Sequence, residues 1–206
     1  MKTFDENGNE RKAQDIRYSV FLYMLKSNDF DLLLEQSIET KIEEVKELQA
    51  RKIDLTKDFK VIVEEILTAE KIKILAEMKI IYAYKTFESA LKHILSNMYS
   101  DFESRKASGI DKVSTFLSQH GVELSEIENY FEVDQLRRVN NSIKHSNILE
   151  TDEIENIIEF TGKDLVEYND ILIFYQRVSK VIPNFFDSLR KVILSRLQEK
   201  NSHLLY

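Results

Sequence analysis

Apolar residues recur every three or four positions along most of the chain, which is the spacing of one face of an α-helix. A first helix is predicted over roughly Glu10–Lys26, with Ile16, Val20 and Met24 on one side. A second is predicted from about Phe30 to Arg51. Its apolar stripe consists of Leu34, Ile38, Ile42 and Val45. Charged residues fill its other faces, a pattern that resembles a coiled-coil arm pairing with a neighbouring helix.

The longest helical stretch is predicted from Lys57 to about Lys106. Its second half has a sustained apolar spacing at Tyr84, Phe87, Leu91, Ile94, Met98 and Phe102. One helix over the whole stretch would be about 75 Å long. We therefore expect it either to break near residues 53–58 or to extend beyond the bundle. Ser108 and Gly109 are predicted to end it.

Two shorter helices are predicted in the next part of the chain. The first covers Asp111–Gln119 and closes on Gly121, because glycine readily adopts the conformation that ends a helix. The second covers Ser125–His145. Ser125 and Glu128 have the spacing of a reciprocal capping box at its start.

Residues 147–169 have a weaker periodicity. Apolar residues on either side of Gly162 predict either a small hairpin or an ordered loop near residues 156–168. The last helix opens near Asp170 and runs towards Glu199, and Pro183 is expected to kink or restart it. Its apolar stripe consists of Phe174, Val178, Val181, Phe185, Leu189, Val192 and Leu197.

Residues that break helices are rare. The 206 residues include 4 Gly and 1 Pro, and neither type occurs between Asn9 and Ser108, a stretch that only helices tolerate comfortably. β-Sandwiches, Rossmann folds and P-loop enzymes need glycine-rich turns and are excluded. The sequence predicts an all-α helical bundle with long antiparallel helices. We expect one domain over residues 1–206, with 1–56 as a helical N-terminal extension or arm.

Charge and cysteine content limit the function. The net charge is −7, from 29 Lys and Arg against 36 Asp and Glu, so a general coat for nucleic acid is not indicated, whereas a small local site stays open. The chain has no Cys, which excludes disulfides, thiolate nucleophiles and Cys-ligated zinc. No apolar run approaches the ~18 residues of a membrane span, and the start has no apolar signal region. We expect a cytoplasmic protein without a membrane partner.

One stretch combines an apolar side with a side whose polar residues could take part in a reaction. It reads Leu136-Arg137-Arg138-Val139-Asn140-Asn141-Ser142-Ile143-Lys144-His145. At ~100° per residue, one side of a helix holds Leu136, Val139 and Ile143. The opposite side holds Arg138, Asn141, Ser142 and His145. The first side would anchor the helix, and the second would be plain solvated surface or the wall of a site. Asn140 is expected to be a buried structural amide.

An Arg, six intervening residues and a His on a late helix of an all-α bundle resemble the motif of the HEPN superfamily. The run from Asn141 to His145 is similar to the Asn-x-x-Lys-His run of HEPN-like proteins in bacterial defence, abortive-infection and toxin–antitoxin systems. Arg138 fits the spacing better than Arg137. Asn147 stands where toxins paired with a nucleotidyltransferase antitoxin usually have Tyr, so that regulatory chemistry is not implied.

The resemblance implies metal-independent RNA cleavage, without a cofactor, at a cleft shared by two protomers. His145 would be a general base or acid, since imidazole exchanges protons near neutral pH. Arg138 would hold the scissile phosphate, and Asn141 would orient His145 or bond the ribose. The residues expected to contact substrate are Lys144, Ser142 and Arg137. The implied partners are RNA, a second copy of the chain, and an antitoxin or defence-system protein.

Two other functions stay open. A non-enzymatic HEPN-like module would use the same face to bind RNA or a nucleotide, and it is favoured by the acidic balance and by Val139, where many family members have a polar residue. A structural helical subunit would instead dock another chain on the Leu34–Val45 stripe. The remaining histidines have structural explanations: His93 packed or half-exposed, His120 at a helix end, His203 in a frayed tail. No histidine pair has metal-ligand spacing.

Overall fold

The computed structural model describes residues 29–51, 59–107, 109–145 and 154–202. Within these ranges there are five α-helices, one short 3₁₀ helix and no β-strand, which confirms the all-α prediction. The helices are α1 (29–50), α2 (Phe59–Met98), α3 (Ile110–Gln119), α4 (Tyr130–His145) and α5 (Tyr168–Ser202). The 3₁₀ helix is Leu124–Glu126. The helix predicted at Glu10–Lys26 lies outside the described residues.

The contacts divide the described chain into two compact units, each assembled from separate segments. Unit A contains residues 29–84 and 135–179, and unit B contains residues 85–134 and 180–202. The single-domain organisation over 1–206 stays a prediction. In the part predicted as an arm, α1 contributes Leu34, Ile38 and Val45 to the buried core.

In unit A, α1 and the first half of α2 pack antiparallel. Gln49, near the end of α1, donates a hydrogen bond from Nε2 to Oε1 of Glu65 at 2.7 Å. Asp31, near the start of α1, lies 3.1 Å from Nζ of Lys79, well along α2. Contacts at both ends therefore fix the direction of the pair.

The apolar stripe of α1 is buried within unit A. Ile38, Val45 and Ile72 form one core cluster. The residues packed against that cluster are Ile42, Leu75, Tyr168 and Leu172. The stripe is therefore packed against side chains of the same chain.

A buried lysine connects three helices of unit A. Lys79 of α2 is 3% exposed, and its ammonium group lies 3.1 Å from Asp31 and 3.4 Å from Glu35 of α1. The same group lies 4.6 Å from the centre of the Tyr175 ring of α5, within the range of a cation–π contact. Burial, and then the carboxylate of Asp31, raise the pKa of the Tyr175 hydroxyl. A buried cation needs such partners because it has lost its water.

Aromatic side chains form much of the core of unit B. The ring centre of Phe87 in α2 lies 5.5 Å from that of Phe185 and 5.2 Å from that of Phe186, both in α5. Tyr99 and Phe116 meet edge to face at 5.3 Å. These separations are typical of favourable aromatic pairs.

The end of α3 is fixed by local sequence, as predicted. Gly121 has a φ of 75°, a conformation that glycine adopts without a steric penalty. Its N–H donates to the Ser118 carbonyl, and the N–H of Val122 donates to the Leu117 carbonyl, both at 3.0 Å. This pair of bonds is a Schellman motif, and its two apolar residues, Leu117 and Val122, are buried as the motif favours.

The end of α2 differs from the prediction, since the helix stops at Met98 rather than at Ser108–Gly109. The chain turns at residues 100–101, where Ser and Asp are residues that favour turns. Tyr99 and Phe102 are buried all the same. The apolar spacing continues past the helix because the turn that follows also packs on the core. The predicted break near residues 53–58 lies outside the described ranges.

The predicted capping box at the start of α4 is wrong. Ser125 lies in the 3₁₀ helix, and α4 begins only at Tyr130. Asn129, with a φ of 64°, separates the two helices, and asparagine tolerates this left-handed conformation better than most residues. Glu128 instead accepts a hydrogen bond from Oγ of Ser188 at 3.0 Å.

Of the two alternatives for residues 156–168, the structure contains the ordered loop. Residues 155–167 form turns and bends. Phe160 is buried, with its ring 5.4 Å from that of Phe174. Arg177 donates two hydrogen bonds to Glu159, at 2.7 and 2.9 Å. Burial alone would raise the pKa of Glu159, but the hydrogen bonds and charge of Arg177 lower it.

α5 begins near the predicted position and continues through Pro183 without restarting. Asp170 caps its start by accepting a hydrogen bond from the N–H of Glu167 at 3.1 Å, and it also pairs with Lys163 of the preceding loop. The buried members of the predicted stripe are Phe174, Val178, Phe185 and Leu189. The half-buried members are Val181, Val192 and Leu197.

We expect Lys79→Ala to lower the free energy of unfolding by about 3 kcal/mol, because the buried methylene groups of Lys79 lose their packing and the partly exposed Asp31 and Glu35 lose the cation that they share. Urea denaturation followed by circular dichroism measures this loss. Lys46→Ala is the matched control, since Lys46 pairs with Glu43 at the surface. The control should cost less than about 1 kcal/mol. Equal losses for the two variants would contradict the role given to Lys79.

Candidate functional site

α4 buries about half of its circumference, more than its apolar residues alone would cover. Val133, Leu136 and Val139 are fully buried. The polar side chains buried on the same arc are Gln135, Asn140 and Ser142. The open arc on the other side is therefore narrower than the sequence pattern predicts, and Arg138, Asn141 and His145 lie on it in the last turns of the helix.

The prediction that Ser142 lies on the open face is wrong, because its side chain is 3% exposed. On a helical wheel Ser142 lies about 40° from Arg138 and about 60° from Val139, so it falls at the boundary between the two sides. Periodicity does not say which boundary positions the neighbouring elements cover. Here they cover Ser142.

The open face of α4 lines a pocket of about 380 Å³. Its lining residues are Arg137, Arg138, Asn141 and His145. The two arginines and Asn141 are half-buried, and His145 is exposed. Four of the six residues proposed from the sequence therefore meet in one pocket. Lys144 is exposed on the same helix but does not line it.

A buried amide supports the floor of this pocket. Asn140 is fully buried, as predicted, and its Nδ2 donates to Oδ1 of Asn141 at 3.2 Å. This bond uses the acceptor of Asn141 and leaves its Nδ2 donor for the pocket. Oδ1 of Asn140 accepts no hydrogen bond among the described residues. The sequence identified both amides but not their contact.

The pocket has a cationic lining, although the protein as a whole is acidic. It contains two guanidinium groups and one imidazole, and none of the described lining residues is acidic. Lys144 and His145 occupy the last turn of α4, where the helix dipole favours cations even without a ligand. The two neighbouring guanidinium groups favour phosphate in particular, because their planar N–H donors match the oxygens of phosphate.

A second pocket of unit A, of about 340 Å³, has the opposite character. Glu65, Glu70 and Glu167 line it together with Lys73. Glu65 already accepts a hydrogen bond from Gln49. Three carboxylates would repel an anionic ligand, so the α4 pocket is the better candidate for phosphate chemistry.

The other histidines do not line the α4 pocket. His93 of α2 is exposed, whereas the sequence predicts a packed or half-exposed position. His120 caps the end of α3, with its ring 4.4 Å from Phe116 and 4.5 Å from Tyr99. These contacts explain His120 as a packing residue. His203 lies outside the described residues. Over the described ranges, no three His, Asp or Glu side chains are arranged to hold a metal ion.

The arrangement permits phosphate binding next to a group that transfers protons. Arg138 and His145 are seven residues apart, about 10 Å along the helix axis, and Asn141 lies between them. A guanidinium group binds phosphate oxygens, an amide donates to an oxygen acceptor, and an imidazole takes or gives a proton. A substrate that spans this distance and carries phosphate and hydroxyl groups would contact all three.

The fold and the pocket define a class, an all-α protein with a cationic pocket at the end of one helix. Comparison with known proteins adds no family: no protein-family model matches the chain, and neither does any curated protein or solved structure. The function is therefore inferred from the residues of the pocket and their geometry. In the part of the chain that is described, no helix has both the length and the apolar character needed to cross a bilayer.

We expect Asn140→Ala to lower the free energy of unfolding by about 1–3 kcal/mol, because it removes a buried hydrogen-bonding group and leaves space behind. Lys144→Ala is the matched control at an exposed position of the same helix, and it should change stability by less than about 0.5 kcal/mol. Urea denaturation of both variants measures the difference. Equal losses for the two variants would contradict the structural role of Asn140.

Proposed function

We propose that this protein is a HEPN-like, metal-independent endoribonuclease whose site is the α4 pocket. The observation that supports the proposal is the common pocket of Arg138, Asn141 and His145. Asn141 lies about one helical turn after Arg138, and His145 lies about two turns after it. The resemblance to the HEPN motif depends on this spacing from Arg to His. The absence of acidic side chains from the described lining suits a polyanionic substrate.

RNA supplies its own nucleophile in the proposed reaction. His145 takes the proton of a 2′-hydroxyl as that oxygen attacks the adjacent phosphorus, and the bond from phosphorus to the 5′-oxygen breaks. Arg138 binds the phosphate oxygens and stabilises the charge that develops on them. The products are a 2′,3′-cyclic phosphate and a 5′-hydroxyl. Asn141 offers its Nδ2 donor to the phosphate or the ribose.

The leaving 5′-oxygen needs a proton, which His145 of one chain does not supply while it acts as the base. Two copies of the pocket facing each other across a two-fold axis would provide the second imidazole, from His145 of the partner subunit. They would also double the positive charge of the cleft. Arg137, inside the pocket, and the exposed Lys144 would contact the RNA backbone as point charges.

The biological role that we propose is that of a toxin or effector in a bacterial defence, abortive-infection or toxin–antitoxin system, acting in the cytoplasm. It follows from the similarity of the Asn141–His145 run to HEPN-like proteins of those systems. An antitoxin or a defence-system protein would then be the partner that controls the activity.

A second candidate function is a non-catalytic module that binds RNA or a nucleotide. The residue directly after Arg138 is Val139, which is apolar and fully buried. Many HEPN proteins have a polar residue at this position, and this chain has none there. His145 is exposed, whereas Arg138 is half-buried and better positioned to hold a phosphate than to assist a proton transfer.

We expect purified wild-type protein to cleave RNA in excess EDTA and to leave 2′,3′-cyclic phosphate ends. His145→Ala should reduce the rate by about 100-fold or more, because it removes the proton-transferring group. His93→Ala, which changes an exposed histidine outside the pocket, should leave the rate unchanged. Gel analysis with end-group mapping measures all three. Cleavage that disappears in EDTA, or that survives in His145→Ala, would contradict the proposed mechanism.

We expect Arg138→Ala to weaken RNA binding by at least about tenfold, because a charge-assisted contact to phosphate is lost. His145→Ala should bind RNA within about twofold of the wild type, since in the proposed reaction His145 transfers a proton and Arg138 holds the phosphate. Fluorescence anisotropy with a labelled RNA at fixed salt measures both variants. Binding with this pattern but without cleavage by the wild type would favour the non-catalytic module. Unchanged binding in Arg138→Ala would count against both functions.

A further inference from the structure

The first half of α2 is buried on one side and open on the other. Ile72, Ala76 and Ile80 are fully buried in the interior. The opposite side holds large apolar side chains that are between 40% and 80% exposed, namely Phe59, Ile66, Leu67, Ile74 and Met78. They extend over about 28 Å of helix. Charged residues lie between these apolar side chains, so the open side is a mixed surface that a partner with matching charges could cover.

The residues of this open side follow a seven-residue repeat. Positions 60, 63, 67, 70, 74 and 77 alternate by three and four, which is the spacing of a coiled-coil seam. The seam consists of the apolar residues Val63, Leu67 and Ile74 and the charged residues Lys60, Glu70 and Glu77, of which Val63 and Glu77 are half-buried and the others exposed. Ile72 and Lys79 fall at the position farthest from the seam, and both are buried against unit A's own helices. The seam and the core therefore use opposite sides of the helix.

The charges on the seam exclude a parallel partner of the same sequence. A parallel, in-register pair would put each of Lys60, Glu70 and Glu77 against its own copy. Each such layer places like charges at close range, which is unfavourable. The pKa of the Glu77 carboxyl group is raised, chiefly by burial. Lys73 lowers this pKa and Glu70 raises it.

An antiparallel pair resolves these conflicts in one register. Val63 then faces Ile74 of the partner subunit, and Lys60 faces Glu77 of the partner subunit. Leu67 faces Glu70 of the partner subunit, whose methylene groups cover it while the carboxylate stays in water. By symmetry each of these layers occurs twice.

The positions beside the seam also match in this register. On one side Glu64 lies across from Lys71 of the partner subunit, which pairs opposite charges. On the other side Ile66 lies across from Lys73 of the partner subunit, whose methylene groups cover it. Lys60 is 3.8 Å from Glu64 within the chain and its side chain is 89% exposed, so it is available for another carboxylate. Charge and apolar complementarity thus select the same arrangement.

The geometry points to a second copy of this chain as the occupant of the open side of α2, paired antiparallel in this register. The interface is distinct from the α4 pocket, so one dimer would use both only where they share a two-fold axis, and the interface does not depend on RNA cleavage. It would give a homodimer through the α2 seam even if the proposed enzymatic function is wrong.

Disulfide trapping tests the register, because the chain contains no natural Cys. A mixture of Val63→Cys and Ile74→Cys chains should form a covalent heterodimer under mild oxidation, whereas each variant alone should not. A mixture of Val63→Cys and Ser96→Cys, the latter at an exposed position outside the seam, is the control and should not cross-link. Cross-linking of each variant with itself would indicate a parallel pair, and no cross-link in any mixture would overturn the proposal.

Charge reversal tests the interface without relying on one variant that might not fold. Sedimentation equilibrium should show that Glu77→Lys weakens the dimer by at least about tenfold, since two layers change from attraction to repulsion. The double variant Lys60→Glu with Glu77→Lys should restore dimerisation, because the two charges exchange places. A monomeric wild-type chain, or a double variant that stays as weak as Glu77→Lys, would contradict the antiparallel interface.

Discussion

The backbone of α2 makes its hydrogen bonds within the helix for 40 residues, so its side chains alone decide what packs against it. In unit A the stripe that contains Ile72 and Ala76 is fully buried, and Ile72 belongs to one core cluster with Ile38 and Val45 of α1. Lys79 lies on the same side of α2, and its contacts help to orient the helices that pack there. Its ammonium group needs partners away from water, and α1 and α5 provide them through Asp31 and Tyr175.

The candidate site depends on the same kind of division on α4. Half of this helix is buried, and three of its buried side chains are polar rather than apolar. The Asn140 amide holds the Asn141 amide in one orientation, while the open arc presents Arg138 and His145. Structure and motif therefore lead to one site by separate arguments, one from the pocket lining and one from residue spacing. The α2 seam is a separate surface of the protein, inferred from charge complementarity.

Local sequence predicted those features that are fixed by local physical chemistry. Gly121 ends α3 because the Schellman geometry requires a left-handed residue. The all-α fold follows from the scarcity of Gly and Pro. By contrast, Ser125 and Glu128 have the spacing of a capping box, yet the chain forms a 3₁₀ helix there. A motif of two residues is worth about 1 kcal/mol, and the burial of apolar side chains such as Leu124 and Ile127 in this segment can exceed it.

By itself the sequence determined the helical fold, the buried stripe of α1 and the spacing that puts Arg138, Asn141 and His145 on one face. These depend on periodicity, which one helix expresses alone. Only the tertiary structure decided that Ser142 is buried, that Lys144 lies outside the pocket, and that the α1 stripe is covered by the chain's own α2 and α5 while one side of α2 stays open. Such outcomes depend on which neighbours cover each face, and periodicity identifies a face without identifying what packs against it.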